Sequence, residues 1–266
     1  MTANDVAQEF NSQSVATYDY YADISTLHAT QMRVGYIEIE EKRKDFADKS
    51  AKGRLKEYLE SKAVLVVLGP PGITDTAPFP SLMDMADNIS QHNKKAGKNK
   101  PVKIQPLPAA DFDRKATLFV IDHHHGTLGA KEAGCTTVPI KIMHDYSQLT
   151  VAQFWRKMWE GNLLNLNNNG PAGSFDDPFR SLARSVRKAG GYGKAETLYE
   201  EFQWANFFRE HMDQKFVLEH YDEAVKKAVK LARSEAAKNL PGYIAPAPQQ
   251  SALKGKMKKI KNSKPL

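Results

Sequence analysis

Cysteine is almost absent from this sequence of 266 residues, in which Cys135 stands alone. A single cysteine excludes an internal disulfide and any metal site built from several thiolates. Its neighbours form the segment AGCTTVPI, which is typical of the entrance to a buried strand. We therefore expect a core thiol at this position.

Long apolar runs are also missing, and no run approaches the length of a membrane-spanning helix. The opening residues, MTANDVAQEF, show neither the basic nor the apolar region of a secretory signal. These absences predict a cytoplasmic protein without a membrane span. Hydrophobic residues make up 41% of the chain and charged residues 26%, which is the composition of a globular protein rather than a disordered one.

Acidic residues are absent from the end of the chain, SALKGKMKKIKNSKPL, which carries six lysines. Most of the formal net charge of +7 therefore comes from this tail and not from the folded part. A disordered basic tail could hold nucleic acid or an anionic membrane surface, and it could equally serve only to keep the protein soluble.

Three short apolar runs predict buried strands, namely AVLVVLG, TLFVID and TTVPIKIMHD. A short helix is expected between the second and third strands. Another should follow the third strand, with its N-cap at Ser147 or Thr150. From about residue 161 the pattern is helical, and DPFRSLARSVRKAGG has an Asp N-cap, a Pro in the first turn and Gly at its end.

This order of elements predicts an α/β (α+β) fold in which a small mixed-sheet domain is followed by a helical extension. The predicted boundaries are a polar segment at 1–24, the mixed-sheet domain at 25–160, the helical extension at 161–244 and the basic tail at 245–266. Residues 73–115 are predicted to be an insertion with a short helix near SLMDMADNI, because a long stretch rich in Pro, Asp and Lys fits neither a strand nor a long helix.

The segment TLFVIDHHHGTLGA, residues 117–130, is the clearest candidate site. Its strand ends at Asp122 and leads through three histidines into a predicted helix, where α/β folds place phosphates. Asp122 and His124 could bind a divalent ion such as Mg²⁺ or Mn²⁺, and histidine can also act as acid or base near neutral pH. The alternative is that one histidine caps the helix and the others are partly exposed.

A second candidate is the basic stripe that Arg180, Arg184 and Arg187 would form on one helix. Together with Lys194 in the following glycine-rich turn, it could contact the phosphates of nucleic acid or of a bound nucleotide. A solvated face whose arginines pair with nearby acids is an equally good interpretation.

The sequence resembles two families that handle phosphate. VIDHH resembles the DHH phosphoesterases, but their upstream Asp-rich motif has only DFD at 111–113 as a counterpart. The closer resemblance is to the ParB/sulfiredoxin superfamily, and within it to the ParB-like nucleases, over residues 25–240. TLHATQMRVGY resembles that family's N-terminal box, VLVVLGPPG the strand before its phosphate loop, and VIDHHHGTLGA the loop itself.

The resemblance implies a ParB/sulfiredoxin-like domain with a phosphate-binding pocket. Superfamily members hydrolyse CTP, use ATP to activate a sulfinic acid, phosphorylate free serine or cut DNA. A nuclease or a nucleotide-dependent phosphoryl-transfer enzyme is therefore expected here, with ATP or CTP and Mg²⁺ or Mn²⁺. The alternatives are a non-catalytic DNA-binding protein that uses the arginine stripe and the lysine tail, and a small-molecule kinase of the free-serine type.

The same resemblance assigns residues to roles. Phosphate or nucleotide binding is expected of Gln31, Arg33, His123, Gly126 and Thr127. Catalysis is expected of Asp122, His124, His125 and one of the glutamates Glu38, Glu40 and Glu41, of which we select Glu41. The chain departs from the family's usual Asp-Gly-x-x-Arg loop, since it has His123 in place of the glycine, lacks the arginine and has Gly129 where alanine is common. No helix-turn-helix follows, so centromere binding and CTP-gated clamping are not expected.

Overall fold

Five strands pair into one mixed sheet in a computed structural model that describes residues 18–73, 81–97, 104, 107–112, 115–166, 175–195 and 199–246. The strands are β1 (Tyr20–Asp23), β2 (Leu27–Ala29), β3 (Val64–Gly69), β4 (Thr117–Asp122) and β5 (Thr137–Asp145). Their order across the sheet is β1-β5-β3-β4-β2. β3 runs parallel to β5 and antiparallel to β4, whereas β1 is antiparallel to β5 and β2 is parallel to β4.

The three predicted strands are β3, β4 and β5, which occupy the middle of the sheet. Every residue of β3 is buried, and this explains its unbroken apolar run. The residue pattern predicted neither edge strand, although the resemblance of TLHATQMRVGY to the family's N-terminal box implies a strand before Gln31, where β2 lies. The boundary expected at residue 25 falls too late, because β1 begins at Tyr20 and already buries Tyr21 and Ala22.

Nine α-helices occur in the part of the chain that the structure describes. Those around the sheet are α1 (Tyr36–Ala51), α2 (Leu55–Glu60), α3 (Leu82–Lys95), α4 (His124–Glu132) and α5 (Val151–Glu160). Those of the helical lobe, which we define as the described residues from 175 to 246, are α6 (Pro178–Lys188), α7 (Glu200–His211), α8 (Gln214–Glu219) and α9 (Tyr221–Ala232). None of these helices is long and apolar enough to cross a membrane.

Two of the predicted helix starts are confirmed at the level of the cap. Thr150 accepts a hydrogen bond from the Gln153 backbone N–H, and the Gln153 side chain accepts one from the Thr150 N–H, which is a complete capping box. Asp177 caps α6 by accepting from the Phe179 N–H at 3.0 Å, with Pro178 in the first turn.

The predicted insertion contributes to the core of the sheet domain. Its expected short helix is α3, which is 14 residues long and buries Leu82, Met85 and Ile89 in the same apolar cluster as Val66 and Val120. The described part of this segment therefore belongs to the packed core of the sheet domain. Cys135 belongs to this cluster too, and burial raises the pKa of its thiol to about 11, in agreement with a core role.

The helical lobe has a separate aromatic core. The Trp204 ring stacks on Tyr192 with centroids 4.1 Å apart, and its indole N–H donates to the Pro241 carbonyl oxygen at 2.8 Å. Phe179 and Phe208 pack in the same cluster. The lobe meets the sheet domain closely at the start of α1, where a side chain at Gly35 would collide with Ser181 of α6.

The contact between α4 and α1 leads to a prediction about two glycines of α4. A Cβ at Gly129 would lie 2.5 Å from the Lys42 Cβ, whereas a Cβ at Gly126 would meet nothing closer than the His123 Cβ at 3.9 Å. We expect Gly129→Ala to lower the free energy of unfolding by about 1–3 kcal/mol through overpacking. Gly126→Ala, the matched control, should raise it by up to about 1 kcal/mol, because alanine favours the helix. Urea denaturation measures both, and equal stabilities for the two variants would contradict the close packing.

Candidate functional site

A cleft of about 630 Å³ opens between the end of β4 and the helical lobe. From the sheet domain it is lined by Gln31, Glu38, Lys42 and residues 121–127. From the lobe it is lined by Arg180, Arg184, Arg187, Lys194 and Tyr199. Most residues of the two predicted candidate sites, the histidine loop and the arginine stripe, therefore line a single cleft.

The turn from β4 into α4 holds His123 in a left-handed conformation with φ of 69°. This region favours glycine, so the chain keeps the backbone shape for which the resembled family uses glycine while adding an imidazole. The ring Nδ1 lies 2.9 Å from the Ala63 carbonyl oxygen. Since a carbonyl only accepts, Nδ1 carries the proton, and Nε2 presents a lone pair 3.8 Å from an Asp122 carboxylate oxygen. His123 is therefore arranged to accept a proton beside a carboxylate that would stabilise it.

His124 and His125 are arranged differently. The Nε2 of His124 accepts the Thr30 backbone N–H at 3.2 Å, and the Nε2 of His125 accepts the Gly35 N–H at 2.9 Å. Burial lowers the pKa of each ring to about 3, so both are neutral near pH 7. Their geometry fits anchors that tie segment 30–35 to the loop, and it does not fit the acid–base role predicted from sequence.

The N-terminal box divides between the cleft and the interior. Gln31 lines the cleft, and its side-chain amide donates to the Arg33 carbonyl oxygen at 3.1 Å. Arg33 itself is buried near Asp176 and Tyr36, and it is not among the described residues that line the cleft. Burial raises the pKa of Asp176 to about 6 despite the charge of Arg33. The phosphate contact predicted for Arg33 has no counterpart in this arrangement.

Only one of the three glutamates on α1 lines the cleft. Glu41 is on the surface, where it pairs with Lys188, and Glu40 pairs with Arg43 at 2.7 Å. Glu38 is 4% exposed and has one carboxylate oxygen 3.0 Å from the Nε of Arg184. The position of Glu41 therefore does not support its selection as the catalytic glutamate. The glutamate of α1 that lines the cleft is Glu38.

The predicted metal pair does not fit a divalent ion in this arrangement. The Nε2 of His124 is occupied by the Thr30 N–H, and the neutral ring carries its proton on Nδ1. Within the described ranges, no three His, Cys, Asp or Glu side chains group closely enough to hold a metal. The exposed carboxylate of Asp122 is the remaining oxygen ligand at the loop.

The arginine stripe exists, but it faces into the cleft and is partly paired. Nη1 and Nη2 of Arg187 each lie 2.7 Å from a carboxylate oxygen, one of Glu200 and one of Glu201. Side-chain exposure is 27% at Arg187 and 21% at Arg184, so neither is fully solvated. The pairing of the stripe with nearby acids is thus confirmed at Arg187, whereas the phosphate contact of the three arginines stays a prediction for residues that line the cleft.

Arg180 differs from the other two arginines. Its side chain is 5% exposed, its guanidinium stacks 3.7 Å from the centroid of the Phe202 ring, and its Nη2 makes a long contact of 3.5 Å to Glu201. Its Nε and Nη1 are buried and have no hydrogen-bond partner among the described residues. Its charge contributes to the low pKa values of both His124 and His125, which places it beside the start of α4.

The N-terminus of α4 adds further donors. The first intrahelical bond runs from the Thr127 N–H to the His123 carbonyl oxygen at 2.9 Å, and no described side chain caps the helix. The N–H groups of the first turn therefore lie at the end of the helix that attracts anions. Gly126 and Thr127, both predicted to bind phosphate, line the cleft at this point.

The mixed sheet, with a strand-to-helix loop at its cleft, places the chain in the ParB/sulfiredoxin-like fold class. The family model described as "Putative ParB-like nuclease" matches residues 20–77 and 82–210, and the chain belongs to this family. A similar solved structure is the crystal structure of protein Atu1540 from Agrobacterium tumefaciens, with a TM-score of 0.60 and 27% identity. That similarity covers 85% of this chain and 98% of the other. No curated protein matches the chain.

Sequence analysis did not predict Tyr199 and Phe202, two aromatic residues that line the cleft. Tyr199 has a φ of 59° at the N-cap of α7, and burial together with the nearby Asp122 raises its pKa. Phe202 has the helical spacing of a lobe-core residue, yet it carries the Arg180 guanidinium. No local signal distinguishes such residues from core, because their position depends on how the lobe packs on the sheet domain.

Proposed function

We propose that the cleft binds the phosphates of a nucleotide and that the protein catalyses phosphoryl transfer or phosphodiester cleavage there. Arg180 is the observation that carries the proposal. A buried guanidinium with two unpartnered nitrogens is unfavourable unless a partner arrives, because buried polar groups are almost always hydrogen-bonded. Phosphate oxygens match the planar donors of arginine in charge and in geometry.

The start of α4 supports the same ligand. Its uncapped N–H groups favour an anion, and Arg180 lies beside the two rings of its first turn. A phosphate at this position would meet backbone donors from the sheet domain and side-chain donors from the helical lobe. The Gln31 amide lines the same cleft and can orient the ligand.

Size and burial favour a nucleotide over duplex DNA. The cleft volume of about 630 Å³ lies within the range of about 300–1,000 Å³ typical of small-molecule sites. Duplex binding relies on arginines and lysines that reach phosphates at an open surface, whereas Arg180 is recessed and Arg187 is held by two carboxylates. The lysine tail, on which the DNA-binding alternative also depends, lies outside the described residues.

His123 supplies the chemistry. Its Nε2 would take the proton from the attacking oxygen, of water or of an acceptor hydroxyl, while that oxygen forms its bond to phosphorus. The bond to the leaving oxygen then breaks, and the leaving group keeps the electron pair. Asp122 stabilises the protonated ring. Mg²⁺ or Mn²⁺ would arrive with the nucleotide and neutralise phosphate charge, with Asp122 as an oxygen ligand.

Turnover of ATP and CTP with Mg²⁺ or Mn²⁺ tests the proposal, with plasmid and single-stranded DNA as parallel substrates and free serine as an acceptor. We expect nucleotide binding and turnover in the wild type. His123→Asn should lower turnover by about 100-fold or more and change binding only slightly, because general acid–base catalysis contributes about 10²–10⁴-fold.

The control is His211→Asn, since His211 lies on α7 outside the cleft and should not affect turnover. A folded wild type that neither binds nor turns over ATP or CTP would overturn the proposal. DNA binding without nucleotide binding, with a steep salt dependence and loss on removal of the tail, would favour the non-catalytic alternative.

A further inference from the structure

Glu38 has the most buried side chain of the described acidic residues that line the cleft. It is 4% exposed, and one of its carboxylate oxygens lies 3.0 Å from the Nε of Arg184. The other oxygen, Oε2, is buried and has no hydrogen bond to any residue that the structure describes. His125 Nε2 is 3.6 Å from Oε2 but cannot donate to it, because that nitrogen accepts the Gly35 N–H.

Charged and titratable groups from α1, α4, α6 and α9 surround Glu38. Arg180, Arg184 and Lys188 face it from α6 and Lys42 from α1, and all four favour the carboxylate. The phenol of Tyr221 on α9 is near enough to feel its charge, and His125 of α4 is neutral. Burial opposes these cations and is the larger effect, so the pKa of Glu38 is raised above its ordinary value.

A phosphate bound by Arg180 would change this balance. It would bring negative charge beside Glu38, and the two anions would compete for Arg180 and Arg184. Two anions that share the same cations in a buried site are rarely both ionised, so one of them takes up a proton. The carboxyl group is the better candidate, because burial already disfavours its charged form.

We propose that Glu38 links phosphate binding to the uptake of one proton. In the empty cleft ionised Glu38 holds Arg184, and when a phosphate binds Glu38 takes a proton from solvent and its hydroxyl donates to a phosphate oxygen. The proposal rests on the proposed function, since it concerns regulation of the same anion site. Nucleotide affinity should therefore fall about tenfold for each pH unit above the pKa of Glu38.

Calorimetric titration with MgATP in two buffers of different ionisation enthalpy measures the proton uptake. We expect about one proton per ATP for the wild type in the pH range where free Glu38 is ionised. Glu38→Gln keeps the shape without the charge, so we expect no uptake through this position. Above the pKa of Glu38 this variant should bind MgATP more tightly than the wild type, by about tenfold for each pH unit, and below that pKa the two affinities should converge.

Glu40→Gln is the matched control, because Glu40 lies on the same helix and pairs with Arg43 outside the cleft. It should retain the uptake of the wild type. Burial lowers the pKa of Lys42 and the charge of Glu38 raises it, so the same comparison is made in a Lys42→Met background, in which this position does not titrate. Binding without proton uptake, or equal uptake in wild type and Glu38→Gln, overturns this inference alone. Absence of MgATP binding in both proteins overturns the proposed function and this inference with it.

Discussion

Acidification from about pH 7 to about pH 5 is expected to lower the free energy of unfolding by about 4 kcal/mol through His124 and His125 alone. Both rings are buried acceptors of backbone N–H groups, with pKa values of about 3. In the unfolded chain each pKa returns to about 6.5. The unfolded state then binds protons that the folded state excludes, so stability is complete above about pH 6.5 and is lost as the pH falls towards 3.

Urea denaturation at the two pH values measures this effect. His125→Asn keeps an acceptor for the Gly35 N–H but does not titrate, so it should lose about half of the pH dependence. Burial raises the pKa values of Glu38 and Asp176, which gives a contribution of opposite sign. That contribution is common to wild type and variant and cancels in the comparison.

A His125→Asn protein that retains the full pH dependence would contradict the anchoring role. The role matters for the proposed function, because these two rings hold the segment that contains Gln31 against the turn between β4 and α4. Partial unfolding in acid should therefore reduce nucleotide binding before the whole molecule unfolds. The apolar core of the helical lobe around Trp204 is separate from that of the sheet domain, so it should stay folded to a lower pH.

Arg180→Ala is expected to weaken nucleotide binding by about 100-fold. The side chain offers two unpartnered nitrogens to the ligand, and a hydrogen bond to a charged group contributes about 1.5–3 kcal/mol. Loss of these two hydrogen bonds, partly compensated by water, corresponds to about 2.7 kcal/mol, or about a 100-fold rise in Kd. Arg180→Lys keeps the charge and loses the planar fork, so we expect about a tenfold loss.

Calorimetry with MgATP measures both variants, and circular dichroism establishes that they are folded. Arg156→Ala is the control, because Arg156 is an exposed arginine of α5 outside the cleft. Unchanged affinity in a folded Arg180→Ala protein would remove the main support for the phosphate site. A loss of the same size in Arg156→Ala would point to general electrostatic attraction instead.

The central strands and the helix caps could be predicted from local sequence, whereas the edges of the sheet could not. β3 and β4 are apolar throughout or nearly so, and Thr150 and Asp177 are cap residues followed by helical patterns. β1 is four residues long and β2 only three, and each is partly exposed. Strands this short carry too few residues for an alternating pattern to stand out.

The sequence predicts where the cleft lies, but it does not predict how the side chains in the cleft are oriented. A strand that ends in Asp122 before a helix marks the cleft correctly. The roles of His124 and His125 depend on backbone N–H groups at Thr30 and Gly35, which are at least 90 residues away in sequence. The helical period places Arg180 on a stripe, but the packing of α6 against α1 decides that the stripe faces the cleft.

A crystal structure of the protein soaked with an ATP analogue and Mn²⁺ tests the central claim most directly. The account predicts phosphate oxygens within about 3 Å of Nε or Nη1 of Arg180 and of a backbone nitrogen in the first turn of α4, with His123 facing the phosphate. Nucleotide bound elsewhere, with this cleft still empty, would contradict it.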